Sequence, residues 1–452
     1  MTAVNVGAAV RTCAKVRIAW SSTTVRQAVG FACSNAALGG LGMITSALLA
    51  RALDVDAYSS YTFGKQLLLF SAMFFEFGLF LPAARMLALS DPAERRRTAG
   101  AVVALFVPVS VLFGVTVFAL SWIVDACLDV HAGPALRMVA LVSVGYPLDF
   151  VCLQTAQGLD RLHSYSIASV LSRLGFLGLL MTLPTTGVRL TSSGVLLADT
   201  LFLLVGWVAL LANLRPVFRG LRETMSRMLR GARDYGFSAY VGRVLSMGTY
   251  HMDTLMLGAA SDPRSFACYM CAAALASPIA LPSAGVATAL FGRLTRQPRM
   301  EPRWVATVTL MSLLPAVALS TLAEPVVRLV YSEKFEMAAG LVPVLAAAQV
   351  ISAVTRLFNS FLAAHGLGSD LRTAAITLTV SNLVLNLLLI PAFGAAGAAW
   401  ASLLALAVNL IAHILRYRRA VDAGETALPD GGGSPGTSST VPPPRGQGAT
   451  AW

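Results

Sequence analysis

The chain is divided into blocks of roughly twenty apolar residues, repeated from near its start almost to its end. A helix of ~20 residues rises ~30 Å, the thickness of the hydrocarbon core of a bilayer. Blocks such as residues 100–123 and 382–415 are apolar on every face. A soluble bundle would instead show a polar stripe at a 3.6-residue period. Charged residues make up 12% of the 452, against roughly a quarter in soluble domains, and 56% are hydrophobic. So little charge cannot solvate the surface of a globule this size. The pattern predicts an all-α, polytopic membrane protein.

Twelve blocks are read, the first six at residues 27–50, 61–86, 98–123, 138–157, 165–183 and 192–214. The second six lie at 237–257, 267–290, 305–322, 338–364, 374–390 and 397–415. Pro184 and Pro391 each stand where a block ends. Basic residues sort between alternate connections. One set carries 23 of them, including Arg95, Arg96 and Arg97, the run from Arg215 to Arg233, and Arg416, Arg418 and Arg419. The other carries six: Arg51, Arg137, Arg189, Arg264, Arg328 and Lys334. Lys and Arg collect on the cytoplasmic side, so both termini are expected in the cytoplasm with an even number of crossings. The same bias accounts for the net charge of +12, and nucleic-acid binding is not expected. Arg11, Lys15 and Arg17 precede a first block too long for a signal-peptide core, which reads as an uncleaved anchor.

The two sets of six echo each other. Asp54, Tyr58 and Tyr61 recur as Asp262, Phe266 and Tyr269 at a shift of 208 residues. Gly158-Leu159 recurs as Gly366-Leu367 at the same shift, and Leu183-Pro184 with Gly187 recurs as Ile390-Pro391 with Gly394 at 207. Matches in chain order at nearly one offset predict a duplicated six-span unit. Six is even, so both copies enter the membrane in the same sense, as two pseudo-symmetric lobes around a central cavity. The expected division is a cytoplasmic segment at 1–26, a first six-span lobe at 27–214 and a basic cytoplasmic connector at 215–235. A second lobe at 236–418 and a tail at 419–452 complete it. The tail holds glycines at 431–433 and prolines at 442–444, cannot bury a core, and is expected to be disordered.

Charge inside a span costs ~3 kcal/mol or more on insertion scales and marks a functional candidate. Glu76, Asp149, Arg173, Asp199, Arg243 and Arg356 fall deep in their blocks. Lys65, His251 and Asp253 lie nearer block ends, where reaching to the interface explains them as well as function does. Arg173, Arg243 and Arg356 occupy three different spans. A bundle hides them either in ion pairs, with Glu76, Asp149 and Asp199 as partners, or by facing them into a wet cavity that takes an anion. Both readings are open. The guanidinium fork suits the second, because it holds phosphate oxygens bidentately. The three carboxylates are also candidates for carrying a coupling proton or sodium ion.

No catalytic constellation accompanies these charges. His131, His163, His251, His365 and His413 are scattered, and no zinc-protease, nucleophile-elbow or P-loop pattern occurs. Cys268 and Cys271 form a C-x-x-C without a second pair or a nearby His, so neither a metal nor a cofactor is expected. Connections on the Arg-poor side are too short for an external catalytic domain.

Several stretches resemble the Wzx-type lipid-linked oligosaccharide flippases, the polysaccharide branch of the superfamily that also holds multidrug-and-toxin (MATE) exporters. Residues 382–401, N-L-V-L-N-L-L-L-I-P-A-F-G-A-A-G-A-A-W-A, resemble the family's penultimate span, its Pro-x-x-Gly-x-x-Gly turn and the start of its last span. Residues 48–61, L-L-A-R-A-L-D-V-D-A-Y-S-S-Y, resemble its first-loop pattern, with Tyr58-Ser59 in place of the usual Tyr-Gly. Glu76-Phe77-Gly78-Leu79 and the stretch from Asp253 to Gly258 are similar to steps in its second and seventh spans. The likeness covers residues 27–418. It implies a flippase carrying an undecaprenyl-diphosphate-linked oligosaccharide, an O-antigen, capsule or exopolysaccharide unit, across the bacterial inner membrane by alternating access. It implies that glycan and membrane lipids as partners, with polysaccharide assembly proteins alongside and no cofactor. Arg173, Arg243 and Arg356 are then expected to grip the diphosphate. A MATE-like cation-coupled exporter of small molecules is the alternative, although three deep arginines favour an anion. A membrane-embedded glycan polymerase or ligase is a third reading, against which the short outer loops weigh.

Overall fold

The computed structural model describes residues 23–426 apart from 129, 184–186, 188 and 425. Expectations for Arg11, Lys15, Arg17, Pro184 and the tail beyond residue 426 fall outside the described residues. The first six blocks fold as α1 (Thr23–Ala52), α2 (Val55–Phe74) with α3 (Phe80–Leu89), and α4 (Pro92–Cys127). Next come α5 (Gly133–Val139) with α6 (Gly145–Gly158), α7 (Leu162–Thr182) and α8 (Ser192–Ala212). The connector forms α9 (Leu221–Gly231) and runs through a π turn into α10 (Phe237–Ala260). Then follow α11 (Pro263–Ala276), α12 (Leu281–Leu294), α13 (Pro302–Thr321), α14 (Ala323–Tyr331), α15 (Ala338–Ala364) and α16 (Gly368–Asp422).

Among the described residues, eight helical stretches are long and apolar enough to cross a membrane. α16 counts once among them, yet Gly394, at φ 54° and ψ −128°, bends it into two arms. Each arm has the ~20 residues a crossing needs. The other three expected crossings are interrupted or charged. α2 and α3 are separated at residues 75–79, α5 and α6 at 140–144, and α10 carries Arg243, His251 and Asp253. The second and fourth spans, expected to be continuous, are therefore broken, and the eighth passes through a 3₁₀ turn. Apolar residues run through the breaks, so hydropathy does not register them. Between α11 and α12 the cause is legible: Pro278, in the 3₁₀ turn Ser277–Ala280, has no N–H with which to continue α11.

The sequence echo falls on matching helix starts. Asp54 caps α2 by accepting from Ala57 N at 2.7 Å, and Asp262 caps α11 by accepting from Ser265 N at 2.9 Å. Each cap satisfies an otherwise orphaned N–H, worth ~1 kcal/mol. Exposed apolar side chains such as Val111 and Val115 on α4, Leu310 and Leu314 on α13, and Leu387 and Leu388 on α16 cover helix faces, as contact with lipid requires.

Within the first six blocks α1 packs on α7, α7 on α8, α3 on α6 and α2 on α8. Within the second, α10 and α15 pack on α16, and α11 and α13 on α15. α2 joins the two sets by packing on α10 and α11. The apolar core divides unevenly along the spans. At the Arg-poor end one cluster draws on both halves, including Leu49, Tyr58, Leu196, Phe266, Tyr331 and Phe335. Toward the Arg-rich end there are two, one around Phe80, Val102 and Trp207 and the other around Leu294, Val308 and Phe361. The shared end is pinned by polar contacts. Ser46 Oγ lies 2.7 Å from Tyr58 OH and 3.2 Å from Tyr331 OH, and Phe335 meets Tyr58 edge-on with ring centroids 5.5 Å apart. Arg51 donates to the carbonyls of Val330 and Leu329.

Candidate functional site

α2 is the axis of the buried polar groups. Tyr61 and Lys65, one helical turn apart, reach Asp199 of α8, while Phe63 and Gln66 reach α10. Glu76 stands in the break after α2.

Asp199, on α8 and 3% exposed, holds two cations at once. Its Oδ1 lies 2.6 Å from Arg173 Nη1 of α7 and its Oδ2 lies 2.7 Å from Lys65 Nζ. Tyr61 OH donates to Oδ2 at 3.0 Å, and Lys65 Nζ donates to Tyr61 OH at 3.1 Å. A buried carboxylate is tolerated when paired and hydrogen-bonded in this way. The stoichiometry leaves an excess positive charge. Arg173 and Lys65 are 26% and 22% exposed, so part of each cation stays open to an approaching anion.

A second pair closes the gap between the halves. Arg243 Nη1 of α10 reaches Glu76 Oε1 at 2.9 Å and Oε2 at 2.8 Å, and Gln154 Nε2 of α6 donates to Glu76 Oε1. Tyr240 OH donates to Phe74 O at 2.9 Å. Phe77 and Gly78 take positive φ, at 48° and 66°, and a Cβ on Gly78 would collide with the Gly236 carbonyl. Glycine at 78 therefore permits both the reversed backbone and its close approach. His251 Nδ1 lies 3.2 Å from Gln66 Oε1 farther along the same contact. α2 and α10 thus meet along an antiparallel polar seam from Gln66 to Gly78.

Of the residues singled out in the sequence, the structure joins Arg173 to Asp199 and Arg243 to Glu76. Asp149, on α6, bonds no arginine among the described residues; it accepts from Tyr165 OH at 2.7 Å, and the Tyr165 ring stacks on Trp207 at 4.9 Å. Arg356, on α15, is exposed and makes no ion pair among the described residues. The three arginines do not converge on one partner.

Lys65, Gln154 and Asp253 belong to these networks, and block position obscured two of them. Lys65 stands near the end of an apolar block that opens at Tyr61, whereas α2 starts at Val55, where polar residues hide the beginning of the helix. Asp253 lies well inside α10, which runs on to Ala260. Its Oδ2 accepts from Tyr269 OH at 3.1 Å and Ser402 Oγ at 3.0 Å; its Oδ1 accepts from Thr254 N at 2.7 Å and lies 3.2 Å from Thr254 Oγ1. No cation pairs with it among the described residues. Oxygen donors of this kind suit a proton or a hard cation. The signal was the echo itself, for Tyr61 and Tyr269 each donate to an aspartate on a neighbouring helix. Among the described residues no group of three or more His, Cys, Asp and Glu forms a metal cluster.

No family model matches the chain. It is 24% identical over 238 residues to a protein of Haloferax volcanii described as a probable low-salt glycan biosynthesis flippase, Agl15; the match spans half of this chain and half of that protein. Among solved structures it is similar to the lipid II flippase MurJ in an inward closed conformation, with a TM-score of 0.67 at 11% identity over 87% of this chain and 90% of that one. It is also similar to an inward-facing multidrug-resistance MATE transporter of the MOP superfamily, with a TM-score of 0.65 at 15% identity over 87% and 96%. At these identities the likeness is one of fold. This multi-pass, all-α membrane protein is built as those transporters are built.

Proposed function

We propose that this chain is a flippase that carries an undecaprenyl-diphosphate-linked oligosaccharide across the bacterial inner membrane by alternating access, with both termini in the cytoplasm. One observation carries the reading: two cations, Lys65 and Arg173, share one buried carboxylate. Asp199 keeps them together against their repulsion. A diphosphate offers more charge and more acceptor oxygens than a carboxylate, so it competes for both. Arg356 supplies a further cation with no carboxylate to displace. Arg243 is held by Glu76 across the seam, so it is released to cargo when α2 and α10 part. The moving bodies are the lobes at 27–214 and 236–418, joined by the connector at 215–235. Their separate cores at the Arg-rich end support that division. The fold, together with a partial likeness to a protein described as a glycan flippase, supports the same cargo class.

Asp253 favours the second reading, a cation-coupled exporter, because no cation neutralises it among the described residues. We assign it instead to a coupling proton or sodium ion within the flippase. Alanine at Lys65, Arg173, Arg243 and Arg356 tests the proposal through two measurements per variant: protein in the membrane and lipid-linked glycan reaching the outer leaflet. Arg356→Ala is expected to leave the protein level normal and abolish transfer, and Arg356→Lys to restore it poorly because the fork is lost. Normal level with normal transfer in all four variants would end the proposal. A protein that exports cationic dyes but no glycan would favour the exporter.

A further inference from the structure

The connector carries a face that the transport reading does not use. From 215 to 235 it holds six arginines against two carboxylates, Glu223 and Asp234. One side of α9 is committed to the protein. Thr224 and Met228 are buried, Met228 in the first-half core, and Arg227 pairs with Glu94 of α4 at 2.9 Å. The other side is open. Arg222, Ser226, Leu229, Arg230 and Arg233 recur along it at helical spacing and, with Met225, line a shallow, open groove. Arg230 Nη1 donates to Ser226 Oγ at 3.0 Å, which lays that side chain along the groove. Leu229 is about half exposed, and Phe218 before α9 and Phe237 after it are more exposed still.

The depth of this face follows from its anchors. Val217 N donates to Arg96 O at 2.9 Å, and Arg96 Nε donates to Arg215 O at 3.0 Å. Val217 lies so close to Gly100 that a Cβ there would collide with the Val217 carbonyl. Along α4 the arginines end at Arg97 and the apolar run begins at Ala99. α9 therefore sits where α4 passes from its polar first turns into hydrocarbon. At that level exposed leucine and phenylalanine meet acyl chains while arginines meet headgroup phosphates, and an anionic surface attracts each basic group. Neither set of side chains is explained by water alone.

We propose that this face of α9 binds an anionic phospholipid, with the phosphate held by Arg222, Arg230 and Arg233 and the acyl chains lying against Met225, Leu229 and Phe237. The site is independent of the cargo and acts whether or not the glycan reading holds. The test is the thermal midpoint of the purified full chain in detergent with added palmitoyl-oleoyl phosphatidylglycerol, the matching phosphatidylcholine, or glycerol 3-phosphate. Phosphatidylglycerol should raise the midpoint by several degrees over phosphatidylcholine, and glycerol 3-phosphate should not. The triple variant R222Q/R230Q/R233Q should lose most of that rise. The control R372Q/R418Q/R419Q, which removes as much charge from exposed positions at the same end, should keep it. Equal loss in both triples would overturn the site in favour of diffuse charge. A rise with glycerol 3-phosphate alone would overturn the lipid, and no phosphatidylglycerol preference in the native chain would overturn both. If the connector triple folds poorly without added lipid, Leu229→Gln keeps every charge and should reduce the rise by about half; an unchanged rise would count against the proposal.

Discussion

Replacing Asp199 by Asn removes a single charge and should destabilise the protein more than most substitutions of similar size. Arg173 and Lys65 sit on opposite oxygens of one carboxylate at 2.6 and 2.7 Å. Two cations so placed are ~6 Å apart and repel by ~3 kcal/mol at an effective dielectric of about 20. Removing one partner of a buried pair costs ~3–5 kcal/mol in general, and here the repulsion between the remaining two adds to it. Against a total stability of ~5–15 kcal/mol that loss is severe. Lys65→Met, in contrast, leaves a one-to-one pair between Arg173 and Asp199 and should cost on the order of 1 kcal/mol. The double variant K65M/D199N removes the repulsion, so it should be more stable than D199N alone, a coupling of ~2–3 kcal/mol. Thermal midpoints in one detergent, with membrane levels alongside, measure all four proteins. A double variant no more stable than D199N, or a D199N protein as stable as the parent, would refute the reasoning.

In a background with the native cysteines replaced, Ser261→Cys should react with an impermeant reagent added outside, and Arg227→Cys should not; the reverse would place the Arg-rich end outside. Gly78→Ala forces a Cβ onto the Gly236 carbonyl at positive φ, so its thermal midpoint should fall. Gly40→Ala, where a Cβ meets nothing within 4 Å, should leave it unchanged. Truncation after Thr426 should be silent in level and transfer. Truncation after Ala420 also removes the end of α16 and the hydrogen bond from Thr426 Oγ1 to Pro298 O at 2.8 Å, and should cost ~1 kcal/mol.

The membrane class was legible because block length and all-round apolarity are properties of local sequence. So was the echo of Asp54 by Asp262, although that both cap a helix became visible only in the structure. Deep charge flagged Arg173, Arg243, Glu76 and Asp199 as residues needing partners, but not which partner each takes. Arg243 and Glu76 are 167 residues apart in the chain and Arg173 and Asp199 are 26 apart, and nothing local encodes either meeting. The break at 75–79 escaped for a related reason. Phe75, Phe77 and Leu79 are as apolar as a helix would be, and the reversal depends on Gly78 facing Gly236 across the seam. Arg356 marks the remaining limit, since charge in a span shows that a residue needs an environment and not that a carboxylate provides it.

The uneven core gives the two ends of the molecule different thermodynamic signatures. Parting the Arg-poor end must bring Tyr58, Phe266, Tyr331 and Phe335 into water, at ~25 cal/mol for each Å² of apolar surface exposed. Exposing apolar surface raises heat capacity, so the rate and equilibrium of that step should curve with temperature and respond weakly to salt. Parting the Arg-rich end separates Arg243 from Glu76 and Tyr240 from Phe74 while the apolar clusters beside them are already distinct. That step should show little heat-capacity change and should ease as ionic strength rises and screens the separated charges. Under the alternating access proposed above, one half of the cycle runs on hydration and the other on charge, and temperature and salt become separate handles on the two.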